Sequence, residues 1–198
     1  AGTDMRLISG IPPWVQMYFD RIHSQTGKSI KEVFPNFEVF VHGGVNFEPY
    51  REKLISSIGS HIDSVETYPA SEGFIAYQDD YRRNDLLLLL NNDIYYEFIP
   101  VDEYFSDNPT RLPLEEVKTG VNYAIVLNTS AGLWGYSIGD TVKFTSTHPY
   151  RLLVTGRIKH FISAFGEHVI GEEVEQALNK TCQHYPEVSI TEFTVSPS

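Results

Sequence analysis

Four short segments carry side chains whose types and spacing could do chemistry: His42-Gly43-Gly44-Val45, Tyr68-Pro69-Ala70-Ser71-Glu72-Gly73, Gly132 to Asp140, and Gly156-Arg157-Ile158-Lys159-His160-Phe161. Adjacent glycines at 43 and 44 let a backbone turn sharply or lie flat against a ligand. A plain strand-to-helix turn asks for the same pair. The second segment sets a ring, a hydroxyl and a carboxylate close together: Tyr68 could stack on a base, Ser71 could reach a phosphate, and Glu72 is a hard ligand for Mg²⁺. Ser71 and Glu72 could equally cap a turn. In the third, Gly132-Leu133-Trp134-Gly135-Tyr136-Ser137-Ile138-Gly139-Asp140, glycines and aromatics alternate. A carboxylate such as Asp140 after a tight turn can accept both hydroxyls of a ribose, and a β-hairpin with an Asp turn fits the same residues. In the fourth, Arg157 could neutralise a phosphate or bond a ribose, or stand as a solvated charge on a surface turn.

Other chemistries find no support. The sequence has neither a G-x-x-x-x-G-K-[ST] loop nor a G-x-G-x-x-G fingerprint. Pro69 stands where a nucleophile elbow around Ser71 would need its first glycine. The seven histidines show no ligand pair at metal spacing. Cys182 is the sole cysteine, so no internal disulfide forms and a reducing cytoplasm is the expected compartment. A formal net charge of -11 argues against a general nucleic-acid binder. It leaves room for a nucleotide, because one small anion needs only a few local donors. The longest apolar run, Leu86 to Leu90, falls far short of the ~20 residues that span a bilayer.

The elements that must position these segments follow from periodicity and punctuation. Pro12 and Pro13 open a helix expected to run to Thr26, with Trp14, Tyr18 and Ile22, and Val15 and Phe19, on its apolar face. Gly27 is its expected stop. Phe37 to His42 reads as a strand, Glu48 to Ile58 as a helix and Asp63 to Thr67 as a short strand, an order that suggests a parallel sheet with crossover helices. From Gly73 the pattern becomes β-rich, with strand-like runs at 74–77, 86–90, 94–99, 122–128, 141–144 and 151–155. Asn91-Asn92-Asp93 predicts a hairpin between two of them. A helix over Glu172 to His184 and a strand over Val188 to Val195 close the chain, which has 198 residues. The fold class is α/β, mixed sheets with packing helices and a β-rich part, then the start of a small α+β unit. The boundary is placed near Gly156 to Lys159.

In this order and spacing the segments resemble the adenylate-forming superfamily of firefly luciferase and acyl-CoA synthetases. They are most similar to its Gretchen Hagen branch, the acyl-acid-amido synthetases that include the plant auxin- and jasmonate-conjugating enzymes and their bacterial relatives. Three stretches carry the resemblance. Pro13-Trp14, Phe34-Pro35-Asn36 and Val39 to Val45 resemble the branch's middle region. Tyr68-Pro69-Ala70-Ser71-Glu72 resembles a Y-x-S-S-E motif, and Tyr123 to Leu127 with Ala131 to Asp140 resembles the motif around A-G-L-x-x-Y-x-x-G-D.

The resemblance implies a site for ATP and Mg²⁺. Tyr68 would stack on adenine, with the Gly43 and Gly44 backbone near the base. Ser71 would contact the α-phosphate, Glu72 would hold Mg²⁺, Asp140 would take the ribose hydroxyls with Tyr136 nearby in the same motif, and Arg157 would support ribose or phosphate. Lys159 falls at the hinge between a large domain (1–158) and a small one (159–198), where many relatives have Asp. The implied substrates are a small carboxylic acid, which is adenylated, and an amine or amino acid, which takes the acyl group. No nucleic-acid or membrane partner is expected. Coenzyme A as acceptor, and a non-catalytic binding domain, are the alternatives. A Ser/Thr/Gly-rich phosphate loop is missing from the sequence, so the chain is expected to be a piece of a larger enzyme.

Overall fold

The computed structural model describes residues 4–45, 47–158, 162–164, 167–169, 177–178, 181 and 185. The chain divides into two compact units, Ala1–Ala70 with Ile75–Leu86, and Ser71–Phe74 with Leu87–Ser198.

The first unit is parallel α/β. Strands β1 (Leu7–Ser9), β2 (Val39–His42) and β3 (Asp63–Ala70) lie side by side, with Leu7 against Val39 and Val39 against Asp63. Parallel neighbours need crossovers. Helices α1 (Pro12–Thr26) and α2 (Ile30–Val33) supply the first, and α3 (Glu48–Ile58) the second. The core is Val15, Phe19, Ile30, Phe37, Phe40, Phe47, Leu54 and Ile58. Helix α1 has the expected bounds and ends at Gly27, whose φ of 68° is left-handed. Its buried face is narrower than expected: Val15, Gln16 and Phe19 point inward, whereas Trp14 is 70% exposed and Tyr18 47%. The buried polar residue on that face finds partners, since Gln16 Nε2 donates to Asp20 Oδ1 and to Ser57 Oγ of α3, both at 2.7 Å. Helix α2 has a reciprocal cap that the sequence reading passed over. Ser29 N donates to Glu32 Oε2 at 2.7 Å, and Glu32 N donates to Ser29 Oγ at 3.4 Å.

The second unit is antiparallel. Strands β6 (Ile94–Pro100), β7 (Leu112–Pro113), β8 (Asn122–Thr129), β9 (Tyr136–Thr147) and β10 (Tyr150–Arg157) run in the order β10-β9-β8-β6-β7. They are preceded in the chain by β4 (Gly73–Tyr77) and β5 (Leu86–Leu88), and followed by the antiparallel pair β11 (Ile162–Ala164) and β12 (Glu167–Val169). Phe98 anchors the core, edge-on to Phe144 at 5.1 Å and to Tyr123 at 6.1 Å between ring centres.

Three expectations change. The hairpin expected at Asn91-Asn92-Asp93 does not form, because β6 pairs with β7 and β8 and β5 takes neither of its edges. Asp93 does turn the chain, at a φ of 58°. Strand β3 runs on through Tyr68, Pro69 and Ala70 rather than ending at Thr67. Strand β9 begins at Tyr136, so Asp140 lies inside a strand and not on a turn. Ala177, Leu178 and Thr181 are helical. The rest of the helix expected at Glu172–His184, the strand at Val188–Val195 and the hinge at Lys159 lie outside the described residues. Among the described residues no helix is long and apolar enough to cross a membrane.

Candidate functional site

Asp140 and Arg157, expected from separate segments, are cross-strand partners. Residue 157 ends β10 directly opposite 140 in β9. Arg157 Nε donates to Asp140 Oδ1 at 2.9 Å. The two ends of this pair differ in environment: the Asp140 side chain is 11% exposed and that of Arg157 64%. The carboxylate is fixed in the sheet while the guanidinium reaches outward. Such a pair can present acceptor oxygens to hydroxyls and a charged donor fork to a phosphate. Tyr136 lies four residues before Asp140 on the same strand, about 13 Å away at ordinary strand rise.

In the first unit Gly43 follows β2 and presses on β3. A Cβ at this position would lie 2.3 Å from Thr67 O, 3.2 Å from Thr67 Oγ1 and 3.3 Å from Pro69 Cδ. Thr67 Oγ1 donates to His42 O at 3.0 Å, closing the contact. Gly44 has a φ of 83°. Tyr68, next on β3, is 6% exposed. A purine therefore meets the rim of this ring unless the ring moves. Ser71 and Glu72 form the two-residue turn between β3 and β4. Among the described residues no group of three His, Cys, Asp or Glu side chains could hold a metal. A lone Glu72 still suits Mg²⁺, which is commonly held by one or two carboxylates together with substrate phosphates and water.

The sequence reading missed two titratable groups beside this glycine pair, His42, which is buried, and Glu66, which is partly buried. His42 and Glu66 face each other in register on β2 and β3. His42 is 3% exposed, its ring lies 4.1 Å from that of Phe47, and its Nδ1 is buried with no hydrogen-bond partner. Burial, then the charge of Arg51, lowers its pKa to about 4. Burial, then the charge of Glu48, pushes Glu66 up to about 7, with Arg51 opposing. A usable signal was that strands of a covered parallel sheet rarely carry ionisable residues.

The two groups act on stability with opposite sign. His42 contributes stability above its unfolded pKa near 6.5 that is lost as pH falls through about 4. Glu66 contributes stability below its unfolded pKa of 4.5 that is lost as pH rises through about 7. The Glu66→Gln variant should therefore gain on the parent sequence by about 3 kcal/mol between pH 4.5 and pH 8. Urea melts of both proteins at the two pH values measure it, and a pH-independent difference would contradict the assignment.

The turn from Ser130 to Gly135 is held by residues of three strand regions. Gly135 N donates to Asn128 Oδ1 at 2.7 Å, and Asn128 Nδ2 donates to Glu97 Oε2 at 2.8 Å. Arg111 Nη2 donates to the same Glu97 oxygen. Thr129 N donates to Leu133 O at 2.8 Å. Trp134, at the tip, is 84% exposed. In the first unit, Phe47 is core and Tyr50 packs against the same cluster.

Comparison with known proteins agrees with this architecture. Residues 87–157 match the family model described as the GH3 family central domain, a span that contains Asp140, Arg157 and the braced turn. A jasmonoyl–L-amino acid synthetase, JAR4 of Nicotiana attenuata, is 35% identical over 125 residues, covering 60% of this chain and 22% of that protein. The indole-3-acetic acid-amido synthetase GH3.10 of Arabidopsis thaliana is 38% identical over 66 residues, 27% of this chain and 11% of that one. The chain thus spans about a fifth or less of the length of these relatives. Among solved structures, the AtGH3.15 acyl acid amido synthetase in complex with 2,4-DB superposes with a TM-score of 0.68 at 20% identity, over 87% of this chain and 32% of that one. A 2-hydroxyisobutyryl-CoA ligase does so with a TM-score of 0.65 at 14% identity, over 88% and 37%. The fold resembles that of the solved acyl acid amido synthetase and acyl-CoA ligase structures, and residues 87–157 match the GH3 family central domain.

Proposed function

We propose that the protein to which this chain belongs is an ATP-dependent ligase joining a carboxylic acid to an amine. The observation that carries the reading is the Asp140–Arg157 pair, a buried carboxylate with an outward guanidinium, inside the span that matches the GH3 central domain. Amido synthetases among the relatives support it.

In the first step the acid's carboxylate oxygen bonds to the α-phosphorus of ATP and the bond to pyrophosphate breaks. In the second, the amine nitrogen bonds to the acyl carbon, AMP leaves as its bond to that carbon breaks, and the amine gives up a proton. Asp140 accepts the ribose hydroxyls, and Arg157 holds that carboxylate oriented by their pairing while facing ribose or phosphate. Gly43 and Gly44 offer backbone to the base, Tyr68 the rim of its ring, Tyr136 a contact from the start of β9 and Ser71 a hydroxyl to the α-phosphate. Glu72 would hold Mg²⁺, which when bound stabilises charge at phosphorus. Fixing both reactants supplies much of the remaining acceleration. A large domain ending at 158, a small one from 159 and a hinge at Lys159, with a cytoplasmic location, complete the proposal.

The test is product analysis with the parent protein, ATP, a panel of acids and a panel of amino acids. Amide with equimolar AMP and pyrophosphate is expected. Thioester formed with coenzyme A, and no amide, would replace this reading with the acyl-CoA-forming one.

A further inference from the structure

The bracing of the 130–135 turn is out of proportion to what an exposed hairpin tip needs. Surface turns between strands are commonly held by their own backbone bonds. Here the backbone bonds from Thr129 to Gly132 and Leu133 are supplemented by an amide, a carboxylate and a guanidinium drawn from β8, β6 and the residue before β7. Gly135 shows how tightly they close. Its φ is 59°, and a Cβ there would lie 3.0 Å from Arg111 Nη2. The Glu97 side chain is 21% exposed, so its carboxylate is partly withdrawn from water and needs both donors.

Strand β9 begins directly after the turn. Tyr136 is set against Leu127 and Ser137 against Val126, after which the register shifts before Thr141 meets Ala124. A strand that slips by one residue sends every side chain to the opposite face. Between the turn and Asp140 the ladder already contains an irregularity and Gly139 at a φ of 81°.

We infer that Glu97, Asn128 and Arg111 are positioning residues that lock the register of β9, and so keep Asp140 opposite Arg157 for nucleotide binding. The inference rests on the ligase reading only for its kinetic consequence. The lock itself is a property of the hydrogen-bond geometry.

The polarity of the lock can be reversed. In Asn128→Asp two carboxylates meet where an amide donated to one, so the clamp opens. In Asn128→Asp combined with Glu97→Gln, the new carboxylate at 128 accepts from Gly135 N and from the new amide nitrogen at 97. The amide oxygen at 97 then accepts from Arg111. Total charge is unchanged from the original.

Two measurements on the parent protein test this. Residue-resolved amide exchange at Gly135 should be about tenfold faster in Asn128→Asp and return toward the original in the double variant. The KM for ATP should rise roughly thirtyfold in the single variant with kcat changed less than about threefold, and recover in the double. Unchanged exchange at Gly135, or no recovery in the double variant, overturns the lock. Faster exchange with an unchanged KM for ATP overturns the link to Asp140 while leaving the ligase reading standing. A parent protein that turns over no acid at all fails that reading instead, and the exchange data still judge the lock.

Discussion

Alanine at position 43 should destabilise the first unit by about 3 kcal/mol, lowering its melting temperature by roughly 12–24 °C. The added methyl would sit 2.3 Å from Thr67 O, a backbone atom that no side-chain rotation can move aside. Relief requires β2 and β3 to part, which also breaks the bond from Thr67 Oγ1 to His42 O. The residue after Thr67 is Tyr68, so the same displacement disturbs the ring assigned to the base. Thermal melts of the Gly43→Ala variant measure this, and a midpoint within about a degree of the original would refute the close approach. The observation sharpens the role of the glycine pair. The missing side chain at 43 is already used by the protein's own neighbouring strand, and the ligand-facing role proposed for it is additional.

Asp140→Ala should separate activity from stability. Removing the carboxylate leaves Arg157 with a side chain 64% exposed, so water takes over its charge and no buried cation is stranded. Ion pairs between exposed partners contribute about 1 kcal/mol or less, and the exposed guanidinium here keeps the cost of losing its partner small. The neighbouring bonds from Thr155 Oγ1 to Thr141 Oγ1 at 2.8 Å and to Asn122 Oδ1 at 2.7 Å still hold β8, β9 and β10 together. Catalysis should suffer far more: kcat/KM for ATP should fall about 10²–10³-fold, as when an oriented polar group of an active site is lost. Initial rates over a range of ATP concentrations, with a melt of the same sample, check both halves. Retained activity, or a collapse in stability that accounts for the loss, would remove Asp140 from the site.

Local chemistry made much of the first unit legible. A proline pair and a glycine stop marked α1, and the expected bounds of α3 match the structure because a proline stands in its first turn and its end is a left-handed Gly59. What sequence did not disclose was which side of a helix faces in. Trp14 and Tyr18 are as aromatic as Phe19, yet burial went to the row that includes Gln16, whose amide found partners on two helices. In the second unit the strands were visible and their partners were not. Turn residues at 91–93 say that the chain turns, but β6 finds β7 and β8 through non-local contacts. The site segments were found one at a time. That Asp140 and Arg157 meet depends on the register of two long strands, which includes a shift near Gly156 that no local pattern encodes. The pairing of His42 with Glu66 was not legible because it depends on the register of β2 against β3, and the burial of His42 depends on Phe47 at the start of α3.

The central claim is adenylation, and exchange of labelled pyrophosphate into ATP by the parent protein tests it without any amine. The account predicts exchange that depends on an added carboxylic acid. A folded parent protein that shows no exchange with any acid of a broad panel would contradict it.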